Sequence, residues 1–500
     1  MAVRARMMRI LHSVPVAAAG FLVALVAALA HSQAPSAPGQ PPSPPPLVFS
    51  GGTVIDVSGW GDSANDIKNA VVVVQGSRIV EVGPAFSVQI PKNAHVIDCT
   101  GKYLIPGLVD GFAGMNSQGQ ANANLYMGVT TVVVRQDDRR GLIDFAANPK
   151  PHLYPIDSVG STDNWSLLAG QPGWNSILKE GTHPVDLSPE TTGRQLAATQ
   201  KLGTRVVFLG HDITAANAQW IIARAHQLGL ATYGEFVATP YAVGIDAGVD
   251  ALLHMGRYGL GVVPDELQEP LVTDPEGAAS RTAYGYSERL PPTDPHWQTY
   301  ARFIASHHAA LLPTFSIYYA QLPAHENLWR EPAASLLNSA DMYDPTDPAT
   351  GEMNYPLPNW AHRLPGFLQH TMENELRKRA DQAALRLWMI NQAIFSAFPH
   401  YLAGSGANSM GSMSGISEHT ELALLVRLGL SPREALAAAT NNYSLQFGWH
   451  DLGQIAPGRR ADILVLDGDP TANIWNARRI STLVLDGNIL DREGLLHLKK

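Results

Sequence analysis

The side chains of this sequence best suited to chemistry stand at the ends of short apolar runs near the middle of the chain. Glu235 follows the run ATYG, and His254 ends the run VDALLH. A carboxylate and an imidazole bind zinc or transfer protons near neutral pH. The two residues therefore indicate either two ligands of one metal ion or a metal-free acid–base pair. The simpler alternative is that each is an ordinary hydrogen-bonding residue at a strand end.

A hydrolytic zinc ion normally has three protein ligands and one open position. Glu235 and His254 supply two ligands at most, so a third has to come from elsewhere. Four residues are candidates for the third ligand, and each has an equally good interpretation as a surface or capping residue: His211, Asp212, His400 and His419. His307 and His308 directly precede an apolar run and are predicted to be structural.

Composition and missing motifs exclude several other functions. The chain has 500 residues and a net charge of −9, and no Lys/Arg run stands out after its N-terminus, which argues against nucleic acid or an anionic membrane as the main partner. The single cysteine, Cys99, allows neither a disulfide framework nor a cysteine-based zinc site within one chain. There is no G-x-S-x-G nucleophile elbow, P-loop or dinucleotide fingerprint.

Strands and helices alternate through the segment that would position these residues. Apolar β-branched runs occur at 130–135, 204–209, 231–233, 251–254 and 310–315. Helical periodicity follows at 215–228 and 421–428, and Ser431-Pro432-Arg433-Glu434 is a capping box. This alternation predicts a (β/α)8 barrel over residues 106–440, with a doubly wound open sheet as the alternative. Residues 259–295 and 321–367 are rich in Pro, Asp and Tyr and are predicted to be long loops over the barrel mouth.

The two ends of the mature chain share a different pattern. Residues 47–105 and 441–500 contain short β-rich runs broken by glycine, which predicts one β-sandwich domain composed of both ends. Cys99 falls in this domain, away from the barrel mouth, and is therefore a poor candidate for a nucleophile.

The N-terminus has the features of an export signal. Arg4, Arg6 and Arg9 precede an apolar run that ends in small residues near position 32, which predicts a cleaved signal peptide at 1–32. An uncleaved anchor helix is the alternative, because the apolar run is close to the length that spans a bilayer. Residues 33–46 are a Pro/Ser-rich linker without charge. We therefore expect the protein to be exported, either to a periplasm or outside the cell.

Three stretches of the sequence resemble the amidohydrolase superfamily, in its imidazolonepropionase-like and prolidase-like branch. They are GGTVID to IPGLVDG at 51–111, YMGVTTVVVR at 126–135, and SEHTELALLVRLGLSPREALAAATNN with LGQIAPGRRADILVLDGDP at 417–470. The resemblance implies a (β/α)8 barrel with a β-sandwich formed by both chain ends. It also implies an ancestral chemistry in which one or two divalent metals activate water to hydrolyse C–N bonds of amides, dipeptides or cyclic ureides.

The residues at the family's metal-binding positions depart from its pattern. Phe112 and Gly114 stand where the family has a His-x-His pair, Phe208 aligns with the lysine of the fourth strand, and Gly406 replaces the aspartate of the eighth. The histidine of the fifth strand falls at or next to Glu235, whereas that of the sixth strand is retained as His254. We therefore expect no bound metal; if the protein is active, the resemblance implies zinc or another divalent ion held by His254 and Glu235.

Three functions remain open at this level. The residues favour a degenerate barrel that binds a small ligand or stabilises an active paralogue without turnover. The lineage favours an exported hydrolase of C–N bonds with a rearranged mononuclear metal site. The third possibility is a structural or interaction protein that uses its long loops. The expected partners are a small-molecule ligand or substrate, a second copy of the chain, or a catalytic paralogue.

Overall fold

The structure is a computed structural model and describes residues 44–136, 141–160, 166–168, 188–267, 271, 277–343, 346–397 and 399–498. The predicted signal peptide at 1–32 and most of the predicted linker at 33–46 lie outside these residues. Within the described part of the chain, no helix combines the length and the hydropathy that crossing a bilayer requires.

The strands form two sheets. Five strands precede the barrel: β1 (Leu47–Val54), β2 (Ile67–Gln75), β3 (Arg78–Pro84), β4 (His95–Asp98) and β5 (Tyr103–Pro106). Seven strands belong to the barrel: β6 (Leu108–Ala113), β7 (Val129–Val134), β8 (His152–Ser158), β9 (Val206–Leu209), β10 (Ala231–Gly234), β11 (Ala251–Leu253) and β12 (Ala310–Leu312). Three follow it: β13 (Ile463–Leu466), β14 (Ile480–Leu485) and β15 (Asn488–Leu490).

The α-helices lie between and after the barrel strands. They are α1 (Gln118–Tyr126), α2 (Pro189–Lys201), α3 (Ala215–Gln227), α4 (Tyr241–Asp246), α5 (Ala278–Arg289), α6 (Pro295–Ser306), α7 (Gly366–Phe395), α8 (Ile416–Leu428), α9 (Pro432–Ala438) and α10 (Asn441–Phe447). Side chains cap several helix starts, and the predicted capping box of Ser431 and Glu434 is present at the start of α9.

The first and last strands of the chain pair in one sheet. Its order is β15-β14-β13-β5-β1-β2-β3, with β4 paired to β1. Strand β13 runs antiparallel to β5, with Leu464 opposite Ile105. Side chains from both ends, among them Phe49 and Ile463, share one apolar core that also contains Cys99. Burial raises the pKa of the Cys99 thiol to about 11, which keeps it protonated and unreactive. The exact domain boundaries given above stay predictions.

The seven central strands form the predicted parallel barrel. They pair in sequence order from β6 to β12. The gap between β12 and β6 is bridged by residues 401–403: the Leu402 N–H donates to the Leu311 carbonyl at 2.8 Å, and the Gly111 N–H donates to the Ala403 carbonyl at 3.1 Å. The barrel is therefore nearly closed, and the alternative of an open sheet is wrong.

The two segments predicted as long loops differ from each other. Residues 321–365 contain only short 3-10 turns and isolated bridges where they are described, and α7 begins at Gly366. Residues 259–295 contain α5, which the sequence analysis did not predict. The aromatic side chains of α5, such as Tyr284, pack on the barrel, and this tertiary contact stabilises the helix.

Candidate functional site

The C-terminal ends of β9, β10 and β11 bring three basic side chains together around Glu235. The Glu235 carboxylate is 6% exposed. Its Oε1 lies 3.0 Å from His211 Nε2 and 3.3 Å from Arg257 Nε, and its Oε2 lies 3.6 Å from His254 Nε2. The structure thus places the two sequence candidates, Glu235 and His254, side by side and adds His211, one of the candidate third ligands.

The charges around Glu235 decide its protonation. Burial by itself would raise the pKa of this carboxyl, but the neighbouring charges of His254, His211 and Arg257 outweigh burial and hold the pKa well below its usual range. Glu235 is therefore an anion at neutral pH. A carboxylate held this way is a poor proton donor, and its charge is already balanced by side chains of the protein.

The orientation of His254 is fixed by the neighbouring strand. His254 Nδ1 lies 2.7 Å from Thr314 Oγ1, and that hydroxyl donates its own proton to the Pro313 carbonyl at 2.7 Å. The Nδ1 atom must therefore be the donor, so Nε2 faces Glu235. Both His254 and Thr314 have positive φ, at 59° and 49°. Such backbone strain in residues other than glycine is concentrated at functional sites.

The floor of the mouth carries a buried cation between two aromatic rings. The Arg135 guanidinium carbon lies 4.5 Å from the ring centroid of Phe208 and 5.5 Å from that of Phe112. Arg135 is 3% exposed, and both phenylalanines are fully buried. The His254 ring meets Phe112 nearly edge-on, at 5.0 Å between centroids. Arg135 was not predicted as a site residue, although a charged residue that ends the apolar run TTVVVR is a signal in the sequence.

Gly114 and Gly406, which stand at two of the family's metal-ligand positions, form backbone hydrogen bonds. The Gly114 N–H donates to the Ala407 carbonyl, and the Gly406 N–H donates to the Phe112 carbonyl at 2.8 Å. These bonds join β6 to the segment that closes the barrel. Gly406 has a φ of 66°, and a Cβ there would collide with the side chain of Ile317. An aspartate at this position would therefore require the Ile317 side chain to shift and would hold a strained backbone conformation.

The other candidate histidines lie in packed or structural positions. His400 stacks on Trp60 at 3.8 Å between ring centroids, at the start of the segment that closes the barrel and therefore at the end opposite the mouth. His419 donates from Nε2 to the Met127 carbonyl at 2.7 Å, and burial lowers its pKa to about 4. His307 pairs with Asp246 at 3.1 Å, as expected of a structural residue. Asp212 is buried next to His211 in the chain.

The side chains of the mouth do not fit the binuclear metal centre of the family. Two phenyl rings and a guanidinium occupy the floor, and the Glu235 carboxylate is committed to three basic side chains. Among the described residues, the only three histidine and acidic side chains with all ligand atoms within 4.8 Å of one another are His152, Asp462 and Asp486. His152 begins β8, opposite the mouth, whereas Asp462 precedes β13 and Asp486 follows β14. Asp462 already pairs with Arg460 at 2.6 Å.

Comparison with known proteins shows sequence similarity over short segments of the chain. Residues 362–490 match the amidohydrolase family model. An imidazolonepropionase of Deinococcus deserti is 40% identical over 80 residues, covering 13% of this chain and 20% of that protein. Adenine deaminase 2 of Agrobacterium fabrum is 58% identical over 56 residues, covering 11% and 9%. The chain thus spans a fifth or less of the curated relatives it matches.

Solved structures share the fold over nearly the whole chain. Molinate hydrolase superposes with a TM-score of 0.57 at 16% identity, covering 91% of this chain and 96% of that one. The ochratoxinase of A. niger superposes with a TM-score of 0.52 at 14% identity, covering 89% and 95%. A Xaa-Pro dipeptidase gives a TM-score of 0.54 at 14% identity, covering 89% and 99%.

The segment that matches the family model overlaps the third of the three sequence stretches that resemble the amidohydrolase superfamily, at 417–470. The matched segment contains the end of the barrel and the strands that complete the β-domain. Residues 362–490 of this chain are similar to the amidohydrolase family, and nearly the whole chain shares the fold of the three solved structures.

Proposed function

We propose that this protein is an exported amidohydrolase relative that binds a small organic molecule at its barrel mouth without metal-dependent hydrolysis of C–N bonds. The observation that carries the proposal is the Arg135 guanidinium, buried between Phe112 and Phe208 where the family holds its metals. Stabilising an active paralogue is a second role for the same degenerate barrel.

Electrostatics opposes a metal centre at this floor. A divalent cation close to a buried guanidinium is repelled by it, and the repulsion is stronger in a low-dielectric interior than in water. The phenyl rings that replace family ligands offer no lone pair, so a metal would also lose hydration without compensation. The Glu235 carboxylate already has basic partners on both of its oxygens.

One observation favours the competing function, an active hydrolase with a mononuclear site. His254 Nε2 and Glu235 face each other, and His211 approaches the same carboxylate. Two histidines and one glutamate are a known ligand set for catalytic zinc. Arg257 counts against this reading, because its charge lies 3.3 Å from the same carboxylate.

Metal content separates the two functions. The purified full chain, incubated with excess zinc or manganese and desalted, should retain well under one equivalent by elemental analysis. It should release no product above background from N-acyl amino acids, dipeptides or hydantoins, while at least one of these compounds raises its melting temperature. One bound equivalent of metal, with turnover that Glu235→Gln and His254→Ala abolish and the remote control His400→Ala leaves intact, would establish the mononuclear hydrolase instead.

A further inference from the structure

Three side chains that can bind a metal meet where the barrel joins the β-domain. His152 begins β8, at the end of the barrel opposite the mouth, whereas Asp462 directly precedes β13 and Asp486 follows β14. Their ligand atoms all lie within 4.8 Å of one another. His152 Nε2 lies 3.3 Å from Asp462 Oδ2 and 3.6 Å from Asp486 Oδ2. One imidazole of the barrel therefore faces two carboxylates of the β-domain.

The spacing of these atoms fits a metal ion better than it fits hydrogen bonds. An N–H···O hydrogen bond spans about 2.7–3.2 Å, and both distances from His152 Nε2 are longer. Among the described residues this nitrogen has no hydrogen-bond partner, although it is almost inaccessible to water. Zinc binds nitrogen and oxygen at about 2.1 Å, so neighbouring ligand atoms of a tetrahedral zinc ion stand about 3.4 Å apart. The nitrogen already lies close to this distance from each carboxylate oxygen.

The charges at this junction also favour a divalent cation. Asp462 pairs with Arg460 at 2.6 Å, and Asp451 pairs with the same guanidinium at 3.2 Å. In the part of the chain that the structure describes, Arg460 is the only arginine or lysine that forms an ion pair with Asp451, Asp462 or Asp486. Within this group of ion-paired residues, three carboxylates therefore face one permanent cation. A divalent ion would neutralise the two remaining negative charges.

Arg460 holds one of the carboxylates in place. Its guanidinium is buried, and it donates from Nη2 to Thr131 Oγ1 of β7 at 2.8 Å and from Nε to Asp462 Oδ2. The other oxygen of this carboxylate, Oδ1, accepts the Asp486 N–H at 2.9 Å. Metal-binding carboxylates are commonly oriented by hydrogen bonds of this kind. Asp462 Oδ2 keeps a second lone pair, which is available to a metal ion.

The types of ligand select zinc over calcium and magnesium. Calcium takes about six to eight oxygen ligands, and magnesium keeps several of its waters. Neither ion prefers imidazole, whereas zinc binds a mixed set of histidine and carboxylate ligands with water in an open position. The Asp486 side chain is 46% exposed, so solvent can supply that water.

We propose that His152, Asp462 and Asp486 bind a zinc ion that joins the barrel to the β-domain. The site lies at the end of the barrel opposite the mouth, so it is independent of the function proposed for the mouth. It has only three protein ligands, and Arg460 competes with the metal for one of them. Zinc in this site therefore exchanges with the solution and is removed by desalting. When free zinc is present, it stabilises the folded chain because it binds the folded state.

Calorimetric titration of the untagged full chain with zinc chloride should show one binding site. His152→Ala should abolish zinc binding, and Asp486→Asn should weaken it by about tenfold or more, because the amide keeps the shape of the side chain but loses its charge. The matched control His226→Ala should bind zinc as wild type does, since His226 pairs with a single carboxylate, that of Asp250, at 2.9 Å. His254→Ala should also bind normally. If His254→Ala abolishes zinc binding and Asp486→Asn does not, the ion lies at the mouth and the proposal is wrong.

Thermal denaturation gives a second measurement. Zinc at about tenfold above the wild-type Kd should raise the melting temperature of wild type and His226→Ala, and should raise that of Asp486→Asn far less. Asp486 has a φ of 49°, which asparagine adopts readily, so Asp486→Asn tests the site even if His152→Ala does not fold. Calcium and magnesium at the same concentration should leave the wild-type melting temperature unchanged. A wild-type chain that binds no zinc, or one that calcium stabilises as strongly as zinc, would overturn the proposal.

Discussion

Ser405 binds the carboxylate of Asp110 twice. Its backbone N–H donates to Asp110 Oδ1 at 2.8 Å, and its hydroxyl donates to Oδ2 at 2.5 Å. Asp110 lies on β6, and Ser405 lies on the segment that closes the barrel, so the pair joins the first barrel strand to that segment. Burial raises the pKa of Asp110 to about 6, although these hydrogen bonds act in the opposite direction.

Removing the Ser405 hydroxyl should loosen this closure. Ser405→Ala should lower the free energy of unfolding by about 1–3 kcal/mol, because a buried carboxylate loses a donor that no water replaces. Urea denaturation at pH 7 measures the change. Ser396→Ala is the matched control, because it removes a hydroxyl that is exposed and bonded only to its own helix. Equal losses in the two variants would show that the Ser405–Asp110 pair does not stabilise the fold.

Glu421 should make stability depend on pH. Burial raises the pKa of Glu421 to about 8, and hydrogen bonds from Ser316 only partly oppose this shift. Since the unfolded state ionises near 4.5, unfolding releases a proton between these two pH values. Wild-type stability should therefore fall as the pH rises from about 4.5 to about 8 and then level off.

The variant Glu421→Gln keeps an acceptor for the Ser316 N–H but cannot ionise. We expect it to match wild type near pH 4.5 and to exceed it at pH 8.5 by at least about 1.4 kcal/mol, the equivalent of one pKa unit. Urea unfolding at both pH values gives the difference. The exposed control Glu493→Gln should show no such pH dependence. A variant less stable than wild type at pH 8.5 would contradict the prediction.

Much of the fold could be predicted because its strands carry a simple signal. The runs at β7, β9, β10, β11 and β12 are apolar and β-branched, as strands buried on both faces must be. Strand β8, His152–Ser158, was missed because HLYPIDS mixes polar residues and a proline with its apolar side chains. The long helix α7 was missed because its first half is mostly polar and contains no fully buried side chain.

The site was predictable only in part, for a physical reason. Strand-end position indicated Glu235 and His254, but the approach of His211 and Arg257 depends on how neighbouring strands pair in the barrel. The stacking of Arg135 between Phe112 and Phe208 joins three strands that are distant in sequence. Such contacts follow from the closed barrel and have no local sequence pattern.

Export should shorten the chain. The arginines of the N-terminal region, the apolar run and the small residues before position 33 are together typical of a cleaved signal. N-terminal sequencing of protein recovered from the periplasm or the medium should therefore begin between His31 and Ala34. The control Ala30→Arg places a charge at the expected cleavage site and should slow processing. A membrane-bound product that begins at Met1 would support the uncleaved anchor.

The C-terminal strands should be essential for the fold. Strand β13 lies between β5 and β14, so a chain that ends at residue 450 exposes the edge of β5. It also removes Ala461, Ile463, Val465 and Val484 from the apolar core that they share with β1 and β2. We expect this truncation to be insoluble or to melt without cooperativity, as judged by its soluble yield and thermal denaturation. A chain that ends at Leu496 keeps every strand and should remain soluble, and a soluble, cooperatively melting chain that ends at 450 would refute a sheet that depends on both ends.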